Sequence, residues 1–270
     1  MADPAAAAAA AAPPSELLPL TGRVAIVTGG SRGIGAAIAA HLAALGAKLV
    51  VNYTSSSGAA HSLTATLNAS SADPRAVAVQ ADVSDPAAVK ALFDRAEEAF
   101  GSEAHILVCC AGVLVSSYPS LAATTEDSFD HMFRVNTRGA FLCCREAANR
   151  LPRGGGGRII AVSSSMVAQR KPGFAAYAGS KAAVEAMVTV LAKELAGTGI
   201  TANCVAPGPT ETDMFYAVRQ NEAEVARVAA ECPMGRIGRP HDIANVVGFL
   251  ASASGEWVNG QVVHVNGGVA

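Results

Sequence analysis

The stretch Val24-Ala25-Ile26-Val27-Thr28-Gly29-Gly30-Ser31-Arg32-Gly33-Ile34-Gly35 decides the fold. Four apolar residues read as a buried strand, and the glycine-rich run behind them reads as a tight turn that opens a helix. Gly29 allows the turn, Gly33 lets the backbone approach a pyrophosphate, and Gly35 permits close packing of helix on strand. The free N–H groups at the start of that helix then face phosphate oxygens. A Gly-x-x-x-Gly-x-Gly run alone is weak in a chain with 26 glycines, and a merely structural turn is the competing reading. The strand–turn–helix context favours a dinucleotide site.

Outward from this stretch, short β-rich runs alternate with helical patterns, as in a parallel sheet covered on both faces. The expected strands are 24–27, 49–52, 76–80, 106–110, 159–162, 201–205 and 262–265. Helices are expected over 33–45, 59–67, 86–100, 126–134, 136–150, 174–196 and 240–252. Right-handed crossovers between such strands give an α/β, doubly wound, seven-stranded parallel sheet of Rossmann-like form. With 270 residues and no interdomain linker, residues 21–270 read as one domain. Residues 1–20, alanine-rich between prolines, read as a disordered extension.

Composition narrows the function. There are 20 basic and 22 acidic residues, a net charge of -2, so no polyanion-binding surface and no nucleic-acid partner are expected. No apolar run is long enough to span a bilayer. The first 20 residues hold no Arg or Lys, which argues against a transit peptide or signal and for a cytoplasmic location. Six cysteines, at 109, 110, 143, 144, 204 and 232, have neither disulfide-framework nor zinc spacing; they read as reduced, buried thiols, with no metal expected. A redox role for Cys110 is the lesser alternative.

Tyr177 and Lys181 stand four apart on the expected helix 174–196 and so share one face. Ser164 lies past the C-terminal end of the strand 159–162, where open α/β sheets place their ligands. A hydroxyl, a phenol and an ammonium together can polarise a carbonyl, protonate its oxygen and hold a cofactor. A surface tyrosine beside a solvated lysine is the bland alternative. The second strand runs into Asn52-Tyr53-Thr54-Ser55, with no acid to accept from a ribose 2′-hydroxyl or repel a 2′-phosphate, and Arg32 in the turn can reach such a phosphate. This favours NADP(H) over NAD(H).

Taken together, these motifs resemble the short-chain dehydrogenase/reductase family over residues 22–268. The matching set comprises the glycine turn, Asp82-Val83, Asn136, Ser164, Tyr177, Lys181, the run Asn203-Cys204-Val205-Ala206-Pro207-Gly208 and the closing Asn266-Gly267-Gly268. The resemblance implies that Tyr177 is the general acid, its pKa lowered by Lys181 and the oxidised nicotinamide. It further implies that Ser164 orients the carbonyl and Lys181 bonds the nicotinamide ribose. Asn136 would support a proton relay to Lys181 through its backbone carbonyl; a helix-capping Asn is its alternative. Thr28, Gly29, Ser31, Arg32, Gly33, Ile34 and Gly35 would cradle the dinucleotide, with Asn52 to Ser55 at its 2′-phosphate and Asp82 and Val83 at adenine. Gly112, with Cys110 and Ala111 before it, would let the chain pass close, and Pro207, Gly208, Thr210 and Thr212 would flank the nicotinamide. Where the family has Asn-Asn-Ala-Gly, this chain has Cys109-Cys110-Ala111-Gly112, whose thiols cannot reproduce amide hydrogen bonds.

The expected substrate walls are Leu114, Met166, Gln169, Phe174, Pro209, Met214 and Phe215, with 211–232 as a mobile lid; plain core is the alternative for each. The leading reading is an NADPH-dependent reductase of hydrophobic aldehydes or ketones. The alternatives are a 3-oxoacyl-carrier-protein reductase, docking its carrier on Arg145, Arg150, Arg153 and Lys193, and a catalytically idle NADPH-sensing scaffold. The resemblance also implies a homotetramer built on helices 136–150 and 174–196 and on the segment 257–268.

Overall fold

The structure is a computed structural model and describes residues 18–69, 73–217 and 221–270. Seven parallel strands form one sheet in the order β3-β2-β1-β4-β5-β6-β7. They are β1 Val24–Thr28, β2 Lys48–Tyr53, β3 Ala76–Gln80, β4 Ile106–Cys109, β5 Arg158–Val162, β6 Thr201–Pro207 and β7 Val262–Val265. The order reverses between β1 and β4, so the crevice outside their carboxyl ends is the expected ligand position.

Both faces of the sheet are covered, which is why the central strands are continuously apolar rather than alternating. In β1, Ala25 and Val27 join the core beneath α1 (Gly33–Ala44) and α10 (Pro240–Ala251), where Ile38, Leu42, Ile243 and Val247 are buried. Val24 and Ile26 face the other way, toward Leu92 and Phe93 of α3 (Pro86–Phe100), Leu142 of α5 (Ala140–Arg150) and Val184 and Val188 of α7 (Ala175–Glu194). This period-2 division lets one strand feed two cores. Each fully buried aliphatic side chain contributes roughly 1.5–3 kcal/mol. The remaining helices are α2 (Ser57–Asn68), α4 (Glu126–Met132), α6 (Met166–Gln169), α8 (Asp213–Tyr216) and α9 (Glu222–Ala230).

Three expectations change. The extension expected over 1–20 lies outside the described residues as far as 17; Leu20 is fully buried, its N–H donating to the Leu45 carbonyl at 2.8 Å. The helices expected at 126–134 and 136–150 form one continuous path, because Phe133–Gly139 is a π-helical segment joining α4 to α5. The segment expected to be a lid without fixed structure carries α8 and α9. Thr212 Oγ1 caps α8 by accepting from Phe215 N at 3.2 Å, and Asn221 Oδ1 caps α9 by accepting from Glu224 N at 3.0 Å. Phe215, Val228 and Ile237 form a small core of their own beneath these helices.

Candidate active site

The first turn is shaped by what its glycines exclude. Gly29 has φ +62°, and a Cβ on it would stand 2.8 Å from Ala111 Cα; one on Gly35 would stand 2.2 Å from the Gly29 carbonyl oxygen. The turn is therefore pressed against the end of β4 and the start of α1, leaving backbone as the cavity wall. Thr28 and Asn52 stand behind this wall rather than in it. Thr28 Oγ1 accepts from Cys110 N and Ala111 N at 3.1 and 3.2 Å, and Asn52 Oδ1 accepts from Gly29 N at 3.2 Å. The Thr28 bonds support the chain leaving β4, where Cys109-Cys110 stands in place of two amides, and the Asn52 bond holds the turn after β1. The Cys109 thiol packs 3.9 Å from that of Cys144.

A cavity of about 560 Å³ opens at the carboxyl ends of β1 and β4. Gly29, Ser31, Arg32, Gly33, Ile34 and Gly35 line it, as do Tyr53, Thr54, Ser55, Asp82 and Val83. Cys110, Ala111, Gly112, Ser164, Tyr177, Lys181, Pro207, Gly208, Thr210 and Thr212 complete the expected set. Asp82 is held ionised, its carboxyl below the usual range because Ser84 N and Oγ both donate to Oδ1 at 2.8 Å. Arg32 sits on the rim, 61% exposed, with Asp213 of α8 opposite at 3.6 Å.

The helix α7 carries Tyr177 and Lys181 on its cavity face. The Lys181 ammonium, 4% exposed, donates to the Val162 carbonyl at 2.8 Å. Gly112 leaves the ammonium uncrowded: a Cβ there would stand 3.3 Å from both Lys181 Nζ and Asn136 Oδ1. Burial lowers the Lys181 pKa, opposed by nearby thiols. The Tyr177 pKa is raised, because burial outweighs the lowering effect of the Ser164 hydroxyl. The ammonium is directed at the Val162 carbonyl, and the depression expected of Lys181 together with the oxidised nicotinamide concerns the cofactor-bound site. Asn136 lies inside the π segment and so caps no helix. Its Oδ1 accepts from Val113 N at 2.8 Å, and its Nδ2 donates to the Val113 carbonyl at 2.9 Å and to Ser180 Oγ at 3.0 Å.

Of the expected substrate walls, Leu114, Met166, Phe174, Pro209, Met214 and Phe215 line the cavity. Gln169 does not, since its Nε2 turns back to donate to Ser165 Oγ at 3.0 Å. Sequence reasoning missed Tyr118, which also lines the cavity and stacks on Phe174 with ring centroids 4.6 Å apart. Its φ of +46° is unusual for a non-glycine residue, and its carbonyl would lie 2.8 Å from a Cβ on Gly173. Gly173 was its one sequence signal, and no spacing exposed it. His131, in the last turn of α4, and Arg134, in the π segment, were missed too; both line the cavity near Asp82. The carrier-docking patch does not assemble at the mouth. Arg150 is occupied by Asp94, Glu97 and Glu146, Arg145 lies over the Phe141 ring, and none of the four basic residues lines the cavity.

A glycine-turn dinucleotide cradle and a Ser–Tyr–Lys cluster in one crevice define a nicotinamide-dependent oxidoreductase scaffold. Comparison with known proteins agrees. The family model described as enoyl-(acyl carrier protein) reductase matches residues 29–270. An Arabidopsis thaliana protein named NADPH-dependent aldehyde reductase-like protein, chloroplastic, is 57% identical over 93% of this chain and 95% of its own. Another from the same plant, NADPH-dependent aldehyde reductase 2, chloroplastic, is 52% identical over 98% of each chain. A short-chain dehydrogenase from Burkholderia cenocepacia, solved in complex with NADP, superposes with a TM-score of 0.85 at 38% identity, covering 93% of this chain and 99% of that one. The chain belongs to the short-chain dehydrogenase/reductase family. The expected cytoplasmic location does not stand, because both Arabidopsis relatives are named chloroplastic; a charge count over 20 residues was too sparse a signal to outweigh them.

The cysteines generate a prediction. Five of the six are buried and Cys110 is half-buried, its thiol pushed up to about 11 by desolvation. The thiolate is the reactive form. A colorimetric thiol reagent at about pH 8 should therefore find fewer than one fast-reacting thiol in the native protein and all six after denaturation. A rapid stoichiometric reaction of native Cys110, located by peptide mapping, contradicts this.

Proposed function

We propose that the protein is an NADPH-dependent reductase of aldehydes or ketones with a hydrophobic body, acting in the plastid. One observation carries this reading: Ser164, Tyr177 and Lys181 converge on the same cavity as the glycine turn. The cavity fits a dinucleotide, since its phosphate end is bare backbone where a Cβ on Gly29 or Gly35 would collide. No acid stands at the end of β2, where Thr54 and Ser55 line the same cavity as Arg32. When bound, the reduced nicotinamide supplies the hydride. The plastid location and the cofactor follow the names of the Arabidopsis relatives.

The chain's own residues do the rest. Burial raises the Tyr177 pKa above that of an ordinary phenol, so the group carries its proton to the carbonyl oxygen. Ser164, lining the same cavity as that phenol, orients the carbonyl and stabilises the developing negative charge. Lys181 holds the ribose of the dinucleotide and steadies Val162 at the strand end. Leu114, Met166, Phe174, Met214 and Phe215 exclude water and admit an apolar substrate body. The idle-scaffold reading differs in requiring no turnover. The chain is also proposed to assemble as a homotetramer. Its first interface would lie on α5 and α7, where Phe141 and Val190 are 44% and 53% exposed beside an apolar groove of about 510 Å³. The fully exposed Trp257 would anchor a second interface.

Three measurements test these points. Tyr177→Phe should leave NADPH binding nearly intact and lower turnover of a hydrophobic aldehyde by about 10²–10⁴-fold, the span for a lost general acid. Turnover at the wild-type rate would sink the mechanism. Arg32→Ala should weaken kcat/KM for NADPH by about tenfold and leave NADH nearly unaffected. That is the lower end of the roughly 1.5–3 kcal/mol for a hydrogen bond to a charged group, because Arg32 is exposed. Equal losses for both cofactors refute the role. Light scattering should give four chain masses; a single-chain mass at all concentrations excludes the tetramer.

A further inference from the structure

The stripe of α7 that faces the end of β5 does not end at Lys181. Glu185 follows four residues later, and it and Lys181 bond adjacent positions there. Glu185 Oε1 accepts from Ser163 Oγ at 2.5 Å and Lys181 Nζ donates to the Val162 carbonyl at 2.8 Å, while Tyr177 and the neighbouring Ser164 line the cavity together. Ser163 is only 3% exposed. It shares a sheet face with Ala161, which packs in the α7-side core, so its hydroxyl has to find its partner under that helix. Among the described residues Glu185 forms no ion pair; its half-buried carboxylate is committed to one hydroxyl. A charge-assisted bond of this length fixes geometry more strictly than a neutral one.

We infer that Glu185 is a positioning residue for catalysis, acting through Ser163 to set the register in which Ser164 and the Val162 carbonyl are presented to Tyr177 and Lys181. The inference rests on the catalytic reading of those residues. Ser163 N donates to the Val205 carbonyl at 2.7 Å and Ser165 N to the Pro207 carbonyl at 2.9 Å, so the backbone past β5 remains tied to β6. Those bonds fix the strand laterally. The Glu185–Ser163 bond adds a tie toward α7, the element carrying the phenol and the ammonium. Without it Ser163 keeps a buried hydroxyl with no acceptor, and the residue beside it, Ser164, loses its fixed distance to Tyr177.

The test compares Glu185→Ala, Glu185→Gln, Ser163→Ala and the double variant Ser163→Ala/Glu185→Ala, using an NADPH fluorescence titration and steady-state kinetics with a hydrophobic aldehyde. Glu185→Ala should lower kcat by about 10- to 100-fold, the cost of a small misplacement of reacting groups. The NADPH dissociation constant should stay within about threefold, because no residue of the phosphate cradle moves. Glu185→Gln, whose amide oxygen still accepts from Ser163, should recover kcat to within about threefold of wild type. Ser163→Ala should lose as much as Glu185→Ala, and the double variant no more than either, as for two halves of one interaction. Wild-type kcat in Glu185→Ala, no recovery in Glu185→Gln, or additive losses in the double variant each overturn the inference. Should Glu185→Ala fail to fold, Ser163→Ala and Glu185→Gln still decide it. A fully active Tyr177→Phe would instead overturn the catalytic reading itself, so the two failures are distinguishable.

Discussion

A single buried ammonium orders the site. Lys181 is desolvated, lies next to thiols rather than carboxylates, and donates to one backbone carbonyl at the end of β5. An isolated cation in such surroundings is costly, and it is tolerated only where the fold leaves it a lined opening and an acceptor. Gly112 keeps the space beside the ammonium uncrowded, and Asn136 lines the same space while tying the loop after β4 to the helix that faces it. The loop, the π segment and α7 are thus arranged around one charge. Shifting any of them changes the environment of the phenol one turn away.

That arrangement also explains the state of Tyr177. A cation aimed at the phenol would favour its ionised form, whereas a cation engaged with Val162 leaves burial in command and the proton in place. Under the proposed mechanism, in which Tyr177 delivers a proton, this is the useful resting condition. The Ser164 hydroxyl opposes the shift without reversing it.

Most of the fold was legible in the chain because the strands of a doubly covered sheet are written as apolar runs. Strands 76–80 and 262–265 and helix 86–100 coincide with β3, β7 and α3, the helix marked by Asp85, whose side chain accepts from Ala87 N, and by Pro86 in its first turn. The cradle was legible for a similar reason: glycines at fixed offsets have one steric purpose. Less legible were features whose cause is tertiary. Nothing in the period of residues 126–150 announces a π segment, and capping by Thr212 and Asn221 was hidden within a charged stretch that resembled a loop. Thr28 and Asn52 belong to the right neighbourhood but turn inward to backbone N–H groups, an orientation that a linear motif does not carry. Tyr118 could be found only by seeing Phe174 beneath it. Ser163 and Glu185 are far apart in sequence, and their pairing exists only because β5 runs under α7.

The π segment Phe133–Gly139 has a consequence for how this chain can vary. Successive residues of an α-helix are separated by about 100° around its axis, so a locally widened turn is a stored angular offset between α4 and α5. Removing one residue here would let the path relax to regular α-helix while leaving α4 and α5 in their present phase, because the widened turn already absorbs one extra residue. Phe141 and Cys144 would keep their faces, and the change would fall on Asn136 and its bonds to Val113. A one-residue deletion is absorbed here, whereas in a regular turn of α5 it would turn the buried face away from the sheet.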